Sequence, residues 1–185
     1  MLKIAVVVGS TRRESINRKF AEALVKLGAG RFEPVWVRID DLPLFNQDDE
    51  KNAIPAVARF KGEIQASDGV LFVTPEHNRS VPAALKNAVD WATRPGGANV
   101  LLTKPVAVAG TSPGAISSAI AQQHLKGMMH AISAGVLGFP EAYLRFEKDL
   151  IGVDGVIANE GTRKFLQLFV DRMVAFVGAL AQQGR

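Results

Sequence analysis

Hydrophobic positions in this chain follow two alternating rhythms. Leu2 to Val8 (LKIAVVV) is a continuous apolar run rich in β-branched residues. It is too short for a helix and is closed by Gly9, which predicts a strand buried on both faces. Ser15 is then a good helix N-cap, and Ile16, Phe20, Leu24 and Leu27 recur at helical spacing until Gly28 and Gly30 stop them. Val35, Val37 and Ile39 alternate as a second strand, followed by a polar loop containing Pro43 and a helix from about Ile54 to Ala66. Gly69 to Thr74 (GVLFVT) repeats the buried-strand pattern, and Pro75 ends it. Ser80 is placed to cap the next helix, with Pro82 in its first turn and Leu85, Val89 and Trp91 along it, before Pro95, Gly96 and Gly97 close it. Lys104 to Gly110 predicts a fourth strand, Ala115 to about Ala134 an apolar helix, and Ala142 to Phe146 a short fifth strand. Glu160 to about Gln182 predicts a long closing helix.

Strands alternate with helices over the whole length, without repeats or a break in composition. The expected fold is therefore one domain over residues 1–185, a three-layer α/β sandwich around a parallel sheet. Five strands favour the flavodoxin-like order 2-1-3-4-5 over the six-stranded dinucleotide fold. A chain of 185 residues with 48% hydrophobic content can bury a core without disulfide or metal staples. It has no cysteine, which excludes thiolate nucleophiles, zinc ribbons and disulfide frameworks and fits a reducing cytoplasm. The charge-free stretch from Met173 to Ala181 falls short of the roughly 20 residues that span a bilayer. The first residues carry no secretory pattern, so the expectation is a cytoplasmic protein with no membrane partner. The net charge of +4 is spread along the chain, and only 7% of residues are aromatic. The one tight basic cluster, Arg12, Arg13, Arg18 and Lys19, sits beside a turn. Nucleic acid is not the expected partner; small anionic ligands are.

In such a sheet, ligands bind beyond the carboxyl ends of the strands at the switch point between strands one and three. The loops there are polar and turn-forming. After strand one, Gly9 permits a tight turn, Ser10, Ser15 and Asn17 offer donors, Arg12 adds a guanidinium, and a helix N-terminus follows. This suits a phosphomonoester, and the missing G-x-G-x-x-G points to a mononucleotide rather than a dinucleotide. The plainer reading has Ser15 as a cap and the arginines as solvated surface. After strand three, Pro75 stops pairing, and the amides from Glu76 to Ser80 are expected to face the crevice, where a flat heteroaromatic such as an isoalloxazine would satisfy them. The alternative is a turn around Asn78 and Ser80 that satisfies its own backbone. His77, His124 and His130 lack metal-ligand spacing. Gly110-Thr-Ser112-Pro-Gly114 matches the G-x-S-x-G elbow of serine hydrolases, but Pro113 has no N–H for an oxyanion hole. Ser112 and Gly114 read better as a turn over a ligand ring.

With these loops placed, the chain resembles the NADPH-dependent FMN reductase family, in particular its bacterial chromate and quinone reductase branch. The resemblance rests on Gly9-Ser10-Thr11-Arg12-Arg13-Glu14-Ser15-Ile16-Asn17, for the family's G-S-x-R-x-x-S-x-N, and on Pro75-Glu76-His77-Asn78-Arg79-Ser80-Val81-Pro82 through Leu85-Lys86-Asn87-Ala88 to Asp90-Trp91. It implies a flavodoxin-like fold in which Ser10, Arg12, Ser15, Ile16 and Asn17 hold the FMN phosphate. Pro75, Glu76, His77 and Asn78 would line the isoalloxazine, and Ser112 and Gly114 would meet it from the fourth-strand loop. It also implies NADPH or NADH as transient co-substrate, and quinones, flavins, azo compounds or metal oxyanions such as chromate as acceptors.

Two departures stand out. His77 occupies a position where the family usually has Tyr, replacing a phenol with a residue type that titrates near neutral pH. In the family's G-x-x-G-G-x-R segment this chain has Ser117 and Ser118 for the double glycine and Ile120 for the arginine, removing a fork that would hold an oxyanion. Relatives form dimers or tetramers. The apolar positions Met128, Met129, Ile132, Val136 and Leu137, with those of the last helix, exceed what one sheet face needs and point to a homo-oligomer, unless the helix is buried within the monomer. Two other functions stay open: a non-enzymatic flavodoxin-like electron carrier, against which the positive charge argues, and a hydrolase using Ser112.

Overall fold

The computed structural model describes residues 1–183. Among these residues six strands and five α-helices follow one another, alternating except where two short strands come in succession. They are β1 (Leu2–Val8), α1 (Ile16–Leu27), β2 (Phe32–Val37), α2 (Pro55–Gln65), β3 (Gly69–Val73), α3 (Ala83–Thr93), β4 (Pro105–Ser112), α4 (Ala119–Ala131), β5 (Gly135–Val136), β6 (Ala142–Arg145) and α5 (Glu160–Gln183). The strands are parallel and run in the order β2-β1-β3-β4-β5, with β6 also paired to β4. This is the expected flavodoxin-like order with one correction. The fifth sheet position is filled in two pieces: β5 pairs with Pro105 and Val106, and β6 continues along the same side of β4 from Ala109 to Ser112.

Side chains of β1 alternate across the sheet and define two cores. Ala5 and Val7 face a layer built by Phe60 and Ile64 of α2, Leu85 and Trp91 of α3, and Leu125 and Met129 of α4. Ile4, Val6 and Val8 face Phe20 and Leu24 of α1 and Leu166, Phe169, Val170, Met173 and Val177 of α5. Each of these α5 residues is at most 1% exposed, so burying that stripe contributes roughly 1.5–3 kcal/mol per large side chain. Among the described residues α5 is the single helix long and apolar enough to cross a membrane. It packs one stripe into the core, while Phe165, Val174 and Phe176 are not fully buried and Leu168 is exposed.

Other boundaries shift for local reasons. The β2 alternation has the expected phase, but pairing with β1 sets the strand at Phe32–Val37, and Ile39 is buried beyond its end. The fourth helix starts at Ala119 rather than Ala115, because residues 114–118 form turns in which Ser117 takes φ +53°. The third helix is preceded by Pro82 as its N-cap residue, without a side-chain cap. Ser80, expected in that role, is bound elsewhere.

Candidate functional site

The first loop leaves its backbone open. Gly9 N donates to Val73 O at 2.8 Å, tying the loop to the end of β3. A Cβ on Gly9 would lie 2.9 Å from Leu85 Cδ2, so glycine lets the loop sit tightly against α3. The amides of Ser10, Thr11 and Arg12 find no acceptor among the described residues, and those of Ile16 and Asn17 open a helix and have no intrahelical partner. Ser15 caps α1 as expected, its Oγ accepting from Arg18 N at 3.1 Å, which leaves its hydroxyl hydrogen free to donate. The Arg12 guanidinium is exposed and has no ion pair among the described residues. Beside the loop, a smaller hollow of about 280 Å³ is bordered by Arg12, Arg18 and Arg38. There Arg38 clasps Asp40 with two hydrogen bonds, which holds the Asp40 carboxyl below its ordinary range and raises the guanidinium.

The third-strand loop is organised the opposite way. His77 N donates to Ser80 O at 3.0 Å and Ser80 N to His77 O at 2.9 Å, closing a two-residue turn whose centre, Asn78 and Arg79, has φ of +49° and +62°. The expectation that all amides from Glu76 to Ser80 face the crevice is therefore corrected: His77 and Ser80 spend theirs on each other. The Glu76 side chain is 4% exposed. Its Oε2 accepts from Ile120 N (3.0 Å) and Ala121 N (3.2 Å) at the start of α4, and its Oε1 accepts from Arg79 Nη1 at 2.7 Å. Carboxylate, helix N-terminus and guanidinium stabilise one another. At the other end of the turn, Ser80 Oγ lies 3.1 Å from His124 Nδ1, one turn further along α4.

The fourth-strand loop is welded to the first by Asn17, which is 1% exposed. Its Nδ2 donates to Thr111 O at 2.9 Å, and its Oδ1 accepts from Thr111 N at 3.0 Å. Gly110 brings β4 so close to β3 that a Cβ there would collide with Thr74 O. Ser112 Oγ accepts from Gly114 N at 3.3 Å. Among the described residues no histidine is bonded to Ser112, so the hydrolase reading has no general base to activate its nucleophile.

All three loops border one crevice of about 560 Å³, within the range of small-ligand sites. Of the residues expected from sequence, it gathers Ser10, Arg12, Ser15, Ile16, Asn17, Pro75, Glu76, His77 and Ser112. It does not gather Asn78 or Gly114, which border a separate small hollow on the other side of Glu76 and Ser112. Sequence reasoning missed the uncapped start of α3, where Pro82, Ala83 and Ala84 join the wall. It also missed the work of two motif residues: Asn87 Nδ2 and Trp91 Nε1 both donate to Pro43 O, and Asn87 Oδ1 accepts from Phe45 N. These bonds strap the loop after β2 onto α3. The donor set fits a flavin mononucleotide. Free amides, two hydroxyls and a cation can take a phosphate, and Pro75 and Pro113 add apolar lining to the same crevice.

A flavodoxin-like sheet with three polar loops meeting in one crevice at its switch point defines the class. The family model for NADPH-dependent FMN reductase matches residues 2–149, and the chain belongs to that family. It is 49% identical over 177 residues to a 2-hydroxy-1,4-benzoquinone reductase of a Burkholderia species, covering 95% of this chain and 96% of that one. It is 46% identical over 175 residues to a quinone reductase of Pseudomonas putida, covering 94% of each. A solved flavoenzyme, an NAD(P)H:(acceptor) oxidoreductase from Paracoccus denitrificans, superposes with a TM-score of 0.93 at 44% identity, over 97% of this chain and 98% of that one.

Proposed function

We propose that the protein is an FMN-dependent NAD(P)H oxidoreductase whose acceptors are quinones. The observation that carries this reading is the first loop, whose free amides and unpaired Arg12 face the crevice shared with the third and fourth loops. FMN, when bound, would supply the hydride and electron chemistry. The chain supplies position. Ser10, Arg12 and Ser15 hold the phosphate with the amides around them, and Asn17 keeps the first and fourth loops at fixed spacing. Pro75, His77 and Ser112 bound the ring, while the Glu76 carboxylate fixes their loop to α4 rather than touching the ring. Quinones come first among acceptors because they appear in the names of the relatives above. Flavins, azo compounds and chromate rest on the family resemblance alone. A homodimer or homotetramer in the cytoplasm goes with the same reading.

The purified protein should bind FMN and oxidise NADPH or NADH steadily when a quinone is added, with no partner protein. A protein that ignores added FMN sinks the proposal. Turnover that needs a protein acceptor would favour the electron carrier instead.

A further inference from the structure

Beyond the 77–80 turn lies a second hollow of about 850 Å³, between α3 and α4. His77 and Ala83 line both it and the crevice, so the two spaces meet across one imidazole. Val81 and Met128 give the second hollow an apolar wall, and Asn78 and His124 give it polar edges. The ring of His77 and the carboxamide of Asn78 have no hydrogen-bond partner among the described residues. The turn that carries them is rigid: its backbone closes on itself, and both its ends are anchored to α4. A free imidazole on a fixed turn between two hollows is placed to touch a molecule lying across them.

We propose that His77 is a catalytic residue toward quinones, which lie across the crevice and the second hollow, reaching Val81 and Met128 at one end, and accept a hydrogen bond from its ring. This rests on the oxidoreductase reading above. Reducing a quinone to a hydroquinone consumes two electrons and two protons. The electron pair and one proton arrive as hydride from the reductant of that reaction. The second proton passes from the imidazolium N–H to the quinone oxygen, forming an O–H bond, and water reprotonates the imidazole left behind. The charged and titratable groups around His77 are Arg12 from the first loop, Glu76 and Arg79 within the turn, Lys86 on α3 and His124 on α4. Glu76 with Arg79 (2.7 Å) and Lys86 with Asp90 (2.6 Å) are closed ion pairs. His77 and His124 are thus the ionisable side chains lining that hollow that no ion pair engages among the described residues.

Ferricyanide takes up electrons without a proton and so separates the two roles. The test compares kcat/KM for 1,4-benzoquinone and for ferricyanide across pH, in the FMN-loaded wild type, His77→Phe and His77→Tyr. The wild type should lose quinone activity toward alkaline pH and keep ferricyanide activity. In His77→Phe the alkaline fall should vanish and the quinone-to-ferricyanide ratio should drop about 100-fold. His77→Tyr should recover the ratio and move the fall upward, because a phenol titrates near about 10. Hydroquinone added to the flavin-free protein should also shift the ring resonances of His77 and His124. An unchanged ratio and pH profile in His77→Phe, or unmoved resonances, overturns the proposal. If the wild type oxidises neither nicotinamide with either acceptor, the oxidoreductase reading itself fails, and the resonances still decide whether the hollow takes this ligand class.

Discussion

The first and third loops sit side by side at the same end of the sheet and handle their polar groups in opposite ways. From Ser10 to Arg12 the backbone donates to no acceptor among the described residues, and the loop is tied down at its two ends, by Gly9 and by Ser15 and Asn17. From Glu76 to Ser80 the loop is bonded within the protein instead: two amides donate to each other's carbonyls, one carboxylate accepts from two amides and a guanidinium, and one hydroxyl meets an imidazole. The first loop is a binding surface made of main chain. The third is a fixed platform that offers side chains, His77 foremost. A buried amide without an acceptor costs about 1–3 kcal/mol, so an open loop of the first kind is economical only where water or an anion takes the bonds.

That contrast can be broken at its anchors. Asn17→Ala should have the largest effect, because it strands a buried N–H and a buried carbonyl of Thr111 and should cost about 3 kcal/mol. In a domain of this size that lowers the thermal midpoint by about 10 °C, and a midpoint within a degree of wild type would show that Asn17 does not join the loops. Glu76→Ala should cost about 2 kcal/mol by uncapping α4 and freeing Arg79, with Glu76→Gln recovering part of it through its remaining acceptor oxygen.

On the open side, Arg12→Ala should leave stability nearly unchanged and weaken FMN binding about 30-fold, the loss of one charge-assisted contact of about 2 kcal/mol. Riboflavin, which lacks the phosphate, should bind as before, and equal losses for both flavins would assign Arg12 to the ring instead. Ser80→Ala, which releases the second anchor of the turn, should cost about 1 kcal/mol and be read in the same thermal scan.

The smallest effect concerns α4 itself. Lys126 Nζ bonds Glu141 Oε1 at 2.8 Å, and that hydrogen bond, with those from Tyr143 and Gln123, holds the Glu141 carboxyl below the ordinary carboxylate range. The Tyr143 phenol is pushed up to about 12 by burial and by the carboxylate. A depressed carboxyl pKa adds stability that is complete above the unfolded value and fades as pH falls through the folded one. Lys126→Met should therefore flatten the acid limb of the stability profile, and an unaltered limb would remove this pair from the account.

Most of the framework was readable because its signals are local. The β1 run, the Ser15 cap and the Pro75 stop each depend on neighbours within a few residues, and the structure places them as expected. The crevice was legible because the strand order alone brings the three loops together. What was not legible depends on distant partners. Ser80 looked like a cap because nothing local shows that His124, 44 residues away, engages its hydroxyl. The same is true of Glu76, whose amide partners are 44 and 45 residues on. Gly135–Val136 is too short for any alternation to register, and it exists as a strand only because β4 offers an edge.

Both borders of the sheet are, as a result, poor templates for further chains. On one side the outermost position is broken into strands of two and four residues with Leu137 to Glu141 between them. On the other, β2 carries Pro34 in its middle, a residue with no N–H to offer an incoming strand. The assembled sheet therefore exposes no long ladder for edge-to-edge growth. That guards the folded protein against pairing edge to edge with its own copies.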